Sequence, residues 1–240
     1  MSEALTFVVI HGACHTGEHV QTLCDELASK GHNVINPTLR SGDTSLSFND
    51  DAKLIIDAIG DADNIVTVTH SRGAEVPPRI LSRASVDKDR FIGAVVMNSA
   101  GPHDFELTPG RLALPRYTPQ YIESVVPDGP DRFMFDPNKV RDVLFSDVSD
   151  AIATKAITML VGQRQSKSNQ APLPYWPSEI PMLVMQGADD QAIVLDSADA
   201  VNDKYYYKPE TIKLPGGHSL YLAQPSLVAD VILDFAQSVR

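Results

Sequence analysis

Three residue types that together transfer acyl groups stand in this chain in the order Ser71, Asp190, His218. A serine hydroxyl is a poor nucleophile at neutral pH and needs a base to take its proton. An imidazole serves best when a carboxylate fixes its tautomer and stabilises the imidazolium that forms. Ser71 follows the apolar run Ile65-Val66-Thr67-Val68 and precedes Gly73-Ala74, which places it on a sharp strand-to-helix turn with its hydroxyl exposed. Gly187-Ala188-Asp189-Asp190 follows the run Met182 to Met185, and Gly216-Gly217-His218 follows Thr211 to Leu214. All three candidates thus fall just past a predicted strand. Asp189 is the alternative acid. Asp190 is preferred because the fourth residue of Gly-x-x-Asp reaches furthest around the loop toward the histidine.

Acyl transfer also needs donors for the oxyanion, and loss of one costs about 3–4 kcal/mol. The backbone N–H of Arg72, directly after the serine, is one expected donor. The other is expected from the loop after the first strand, His11-Gly12-Ala13-Cys14-His15, at the N–H of Ala13.

Each residue also has a plainer reading. Ser71 alone could cap a helix, and Ser99, in the turn Asn98-Ser99-Ala100-Gly101, is a rival nucleophile. His70 is a rival base, although neighbouring side chains at an extended strand end point to opposite faces. His11, His15 and His19 repeat every fourth residue, a metal-like spacing, but Gly12 and Gly17 interrupt them and His11 ends a strand. No metal and no cofactor is expected. Cys14 and Cys24 are expected to be reduced, and His32 and His103 join no constellation.

The elements that must position these groups alternate along the chain. Strands are predicted at 7–10, 32–36, from Ile65 on, and at 92–97, 182–186 and 211–214. Helices are predicted at 20–30, 49–59, after Ser71, at 197–202 and at 226–239. This rhythm predicts an α/β architecture, a doubly wound and mostly parallel sheet with helices on both faces, whose sites lie at the carboxyl ends of its strands. The core comprises residues 1–101 and 182–240. Between them, 102–181 carries 11 of the 17 prolines with Tyr117, Tyr121, Phe133, Phe135, Tyr175 and Trp176, and reads as an inserted cap of short helices and loops, most helical at 140–160.

At 240 residues, 43% hydrophobic and 21% charged, the chain has an ordinary globular composition. A net charge of -11 argues against nucleic acid or an anionic membrane as partner. No apolar run is long enough to span a bilayer, and no basic stretch precedes the first strand, so a cytoplasmic protein acting on a small molecule is expected. Nothing indicates the oligomeric state.

The elbow Thr69-His70-Ser71-Arg72-Gly73, the opening FVVIHGACH, GADD and GGHSLY together resemble the α/β-hydrolase superfamily. The opening is similar, more narrowly, to the branch of plant methylesterases and hydroxynitrile lyases. The resemblance implies a serine hydrolase of a small uncharged ester, lactone or thioester, with cyanohydrin cleavage, ligand reception or cofactor-free oxygenation as the alternatives on the same fold. The lyase activity goes with a threonine where this chain has Gly12 and a lysine where it has Ser219, so hydrolysis is favoured. Two departures stand out. Thr69 takes the first glycine position of G-x-S-x-G, and Glu18 and His19 stand where members of the family carry a tryptophan.

Overall fold

A computed structural model of the chain describes residues 4–101, 116–165 and 173–240. Valine- and isoleucine-rich runs become strands, and the amphipathic runs between them become helices. In chain order the first half contains β1 (Thr6–Ile10), α1 (Gln21–Ser29), β2 (Asn33–Ile35), α2 (Phe48–Ile59), β3 (Ile65–His70), α3 (Val76–Leu81) and β4 (Phe91–Met97). Then come α4 (Pro119–Ser124), β5 (Val125–Pro127), β6 (Arg132–Phe135), α5 (Val140–Leu144), α6 (Asp150–Thr158) and β7 (Gln163–Arg164). The chain closes with β8 (Met182–Gly187), α7 (Leu195–Tyr205), β9 (Glu210–Leu214), α8 (Leu220–Ala223) and α9 (Pro225–Ser238).

Six strands form one sheet in the order β2-β1-β3-β4-β8-β9, with every pairing parallel. Strands of such a sheet are buried on both faces, which is why β1 and β3 contain no exposed residue. Alternate residues feed two cores. Val8, Ile10, Ala94, Val96 and Val184 pack under α2 and α3. Phe7, Val9, Val66, Val68 and Leu183 pack under α1 and α9. Each fully buried Leu, Ile, Val or Phe side chain is worth about 1.5–3 kcal/mol relative to exposure, so the two cores clamp the sheet from both sides.

The predicted αβ rhythm matches these elements within a few residues. The helix after Ser71 differs: residues Ser71–Glu75 form a 3-10 turn, and the α-helix begins only at Val76. Pro77 and Pro78 explain this. Proline lacks the N–H that an α-helix entered from upstream would need, and is accommodated in a first turn.

The 102–181 segment holds the expected short helices, two of them within 140–160. It also holds an antiparallel sheet, β5-β6-β7, that proline density gave no sign of. Residues 102–115, with His103, and 166–172 lie outside the described residues. Phe135, Val140, Val143, Leu144 and Phe145 form a third apolar cluster with Cys14, Ala100 and Ile193, and this cluster seats the segment on the carboxyl end of the sheet. Aromatics of this segment serve packing: Tyr117 stacks on Tyr121 at 4.4 Å, and Trp176 is buried against Tyr206 at 5.7 Å.

Candidate active site

Strand register brings the sequence candidates to one edge. Ile10 pairs with Thr69, His70 with Met97, Met97 with Met185, and Gly187 with Leu214. The chain leaves those strand ends at His11, Ser71, Asn98, Ala188 and Pro215, so residues far apart in sequence emerge as neighbouring loops.

Ser71 has φ +50°, a left-handed conformation that side chains with a Cβ rarely adopt. The turn survives because Gly73 lets it lie against β1, where a Cβ would meet the carbonyl oxygens of His11 at 2.7 Å and Ile10 at 2.8 Å. Thr69, in the other glycine position, is buried and donates its hydroxyl to the Val95 carbonyl of β4 at 3.2 Å, so its extra atoms are absorbed by the sheet. Ser71 is partly exposed, whereas Ser99 is buried and its hydroxyl accepts from the Gly101 N–H at 3.2 Å.

Asp190 and His218 meet directly, with Nδ1 of the imidazole 2.8 Å from Oδ2 of the carboxylate. Their loops interlock: a Cβ at Gly187 would press into the carbonyls of Gly216 and Gly217, so only glycine admits this approach. Oδ1 of Asp190 accepts from the N–H groups of Ala192 at 2.7 Å and Ile193 at 3.2 Å. Burial alone would push the Asp190 carboxyl up. The His218 ring, Asn98 and the Ala192 N–H outweigh it and hold the group below the ordinary carboxylate range. Asp189 is exposed beside it.

Asn98 is a site residue that sequence reasoning passed over. It is fully buried at φ +46°, and its Nδ2 donates to Asp190 Oδ2 at 2.7 Å and to Gly217 O at 3.3 Å. Its signal in the sequence was an asparagine just past a buried strand, a residue type that tolerates the left-handed region. Asp147, from the 102–181 segment, accepts from the Gly217 N–H at 2.7 Å.

The loop 11–15, in which the oxyanion donor is expected at Ala13, lies beside the elbow. Ala13, Gly12, Arg72, Gly73, His11 and Leu39 line a small cleft beside the elbow. His11 accepts from the Leu39 N–H through Nε2 at 2.9 Å and donates from Nδ1 to Gly12 O at 2.9 Å, and burial drives its pKa down to about 4. The His19 ring accepts from the Thr16 N–H and donates to Ala156 O, both at 3.0 Å. These two of the metal-spaced rings are spent on backbone. Cys14 and Cys24 are free and buried, and burial pushes the Cys14 thiol up to about 12, which argues against a thiolate nucleophile.

A six-stranded parallel sheet with a strained serine turn and a carboxylate–imidazole pair at its carboxyl edge defines a class, and comparison with known proteins names it. Residues 7–231 match the model of the Alpha/beta hydrolase family, and the chain belongs to that family. It is 27% identical to the Alpha/beta hydrolase nvfD of Aspergillus novofumigatus, over 95% of each chain. Its fold is shared with a pyrethroid hydrolase from Sphingobium faniae JZ-2, at TM-score 0.81, 19% identity and 98% of both chains. It is shared as well with polyneuridine aldehyde esterase, at TM-score 0.77, 16% identity, 98% of this chain and 100% of that one. A methylesterase, MES16 from Arabidopsis, superposes with TM-score 0.73 at 17% identity over 98% of this chain and 100% of its own. No helix among the described residues is long and apolar enough to cross a membrane.

Proposed function

We propose that the protein is a serine carboxylic ester hydrolase acting on a small uncharged ester, lactone or thioester. Ser71 is the nucleophile, His218 the general base and acid, and Asp190 the residue that orients it. The Asp190–His218 pair at 2.8 Å carries this reading. A carboxylate held ionised on Nδ1 keeps the proton on that nitrogen and leaves Nε2 to take the proton of the serine.

Ser71 Oγ attacks the ester carbonyl carbon as its proton passes to His218 Nε2. The oxyanion that forms is received by the N–H groups of Ala13 and Arg72. Collapse expels the alcohol, which takes the proton from His218, and water repeats the sequence on the acyl-enzyme to release the acid. The names of the fold neighbours, an esterase, a methylesterase and a pyrethroid hydrolase, support ester cleavage on this scaffold. In this reading residues 102–181 are a cap over the site.

Steady-state assays with p-nitrophenyl and methyl esters test it. Ser71→Ala is expected to lower kcat by on the order of 10⁴ or more with the fold intact by circular dichroism. A fluorophosphonate probe should label Ser71 in the wild type. Near wild-type turnover in Ser71→Ala, or an adduct mapped to Ser99, overturns the assignment.

A further inference from the structure

His70 is 1% exposed, and its pKa is driven well below the ordinary imidazole value by burial and by the His218 ring beside it. Its ring packs edge-on against His218 at 4.8 Å, against Tyr221 at 4.8 Å and against His15 at 5.6 Å. His70 Nε2 lies 3.0 Å from the main-chain oxygen of His218. A carbonyl only accepts, so Nε2 carries the proton. Nδ1 is then a lone pair, and it has no hydrogen-bond partner among the described residues. It lies against Gly12, where a Cβ would come within 2.7 Å. This neutral ring is therefore committed to the backbone of the base, and burial opposes its acting as a base itself.

We propose that His70 is a positioning residue for His218. Its Nε2–H fixes the carbonyl of the residue that bears the base, while Asp190 fixes the ring at Nδ1, so His218 is held at its main chain and at one ring nitrogen, with Nε2 left free. The inference rests on the acyl-transfer reading above and adds a role for His70 that the triad does not contain. Phenylalanine would fill the ring volume without the donor, whereas glutamine would place an amide N–H near the position of Nε2. His15 supports the same arrangement, since it donates from Nδ1 to Ala13 O at 2.6 Å and packs its ring against that of His70.

The test compares wild type, His70→Phe, His70→Gln and Ser71→Ala by ester kinetics, rate of fluorophosphonate labelling and thermal melting. His70→Phe is expected to lower kcat and the labelling rate about tenfold to hundredfold, the scale of a misplaced catalytic group, with KM within about twofold. His70→Gln should recover most of that loss. Nitrogen NMR of the wild type gives a readout that needs no variant to fold: His70 should be protonated at Nε2 and bare at Nδ1. Wild-type kcat and labelling in His70→Phe overturn the proposal. So do equal losses in the Phe and Gln variants with matching drops in Tm, which mark a packing residue, and so does the opposite tautomer by NMR. Turnover that survives Ser71→Ala overturns the acyl-transfer reading instead, and is distinguished by its own variant.

Discussion

Asp190 and Asp51 are both buried carboxylates with one close partner able to carry positive charge, yet they stand on opposite sides of the ordinary carboxylate pKa. Asp190 accepts from the His218 ring, from Asn98 and from two backbone N–H groups, and its pKa is lowered. Asp51, on α2, meets the guanidinium of Arg164 through Oδ2, while Oδ1 has no hydrogen-bond partner among the described residues. Burial raises its pKa more than Arg164 lowers it. The Arg164 guanidinium does not offset the burial of Asp51, whereas the charge of the His218 ring, together with hydrogen bonds from His218, Asn98 and Ala192, more than offsets that of Asp190. The candidate site has that set of partners, and the region that ties α2 to β7 does not.

The largest effect that would test this contrast is on activity. Asp190→Asn is expected to reduce kcat by about 10⁴, because an amide favours the wrong imidazole tautomer, whereas Asp189→Asn stays within about twofold of wild type by the same ester assay. The reverse order of damage moves the acid to Asp189.

Removing one donor tests this balance directly. Asn98→Ala should lower kcat about tenfold or more, since a hydrogen bond to a charged group is worth about 1.5–3 kcal/mol. It should also raise the Asp190 pKa, which carboxylate NMR can follow. An unchanged carboxylate titration would break the link between this donor and ionisation.

The two carboxylates also make opposite predictions for stability against pH. With its folded pKa lowered, Asp190 contributes stability that is present above its unfolded value, near 3.9, and is lost as pH falls through the folded value. With its folded pKa raised, Asp51 contributes the other way: stability falls as pH rises from about 3.9 through its folded value. Asp190→Asn should therefore flatten the acid limb of a Tm-versus-pH curve, and Asp51→Asn should steepen it, each by a few degrees. Shifts of the same sign in the two variants refute the contrast.

The smallest effect comes from a neutral bond. Thr69→Val deletes the hydroxyl that donates to Val95 O while keeping the shape of the side chain. At about 1 kcal/mol for such a bond, Tm should fall by about 2–4 °C, with kcat within about twofold. A larger loss of activity would mean that Thr69 shapes the elbow rather than merely fitting into it.

The sequence by itself determined the αβ alternation, the parallel sheet and the positions of Ser71, Asp190 and His218 just past three strands. These are local properties: apolar runs of strand length, amphipathic helices and glycine-bearing turns are each written within a few consecutive residues. The sharp turn at Ser71 was legible for the same reason, because a strand end, a serine and a glycine stand within nine residues of one another, while its φ of +50° was not. Tertiary structure decided what depends on residues distant in sequence. Asn98 reaches Asp190 across 92 positions, His70 reaches His218 across 148, and Arg164 meets Asp51 across 113. Strand order and register set those meetings, and one sequence does not encode register in any short window. The antiparallel sheet β5-β6-β7 stayed hidden because its strands are two to four residues long, too short for a period of two to show. The state of each buried charge was settled last, since a carboxylate's pKa depends on the burial, the charge and the donors that the finished fold places around it.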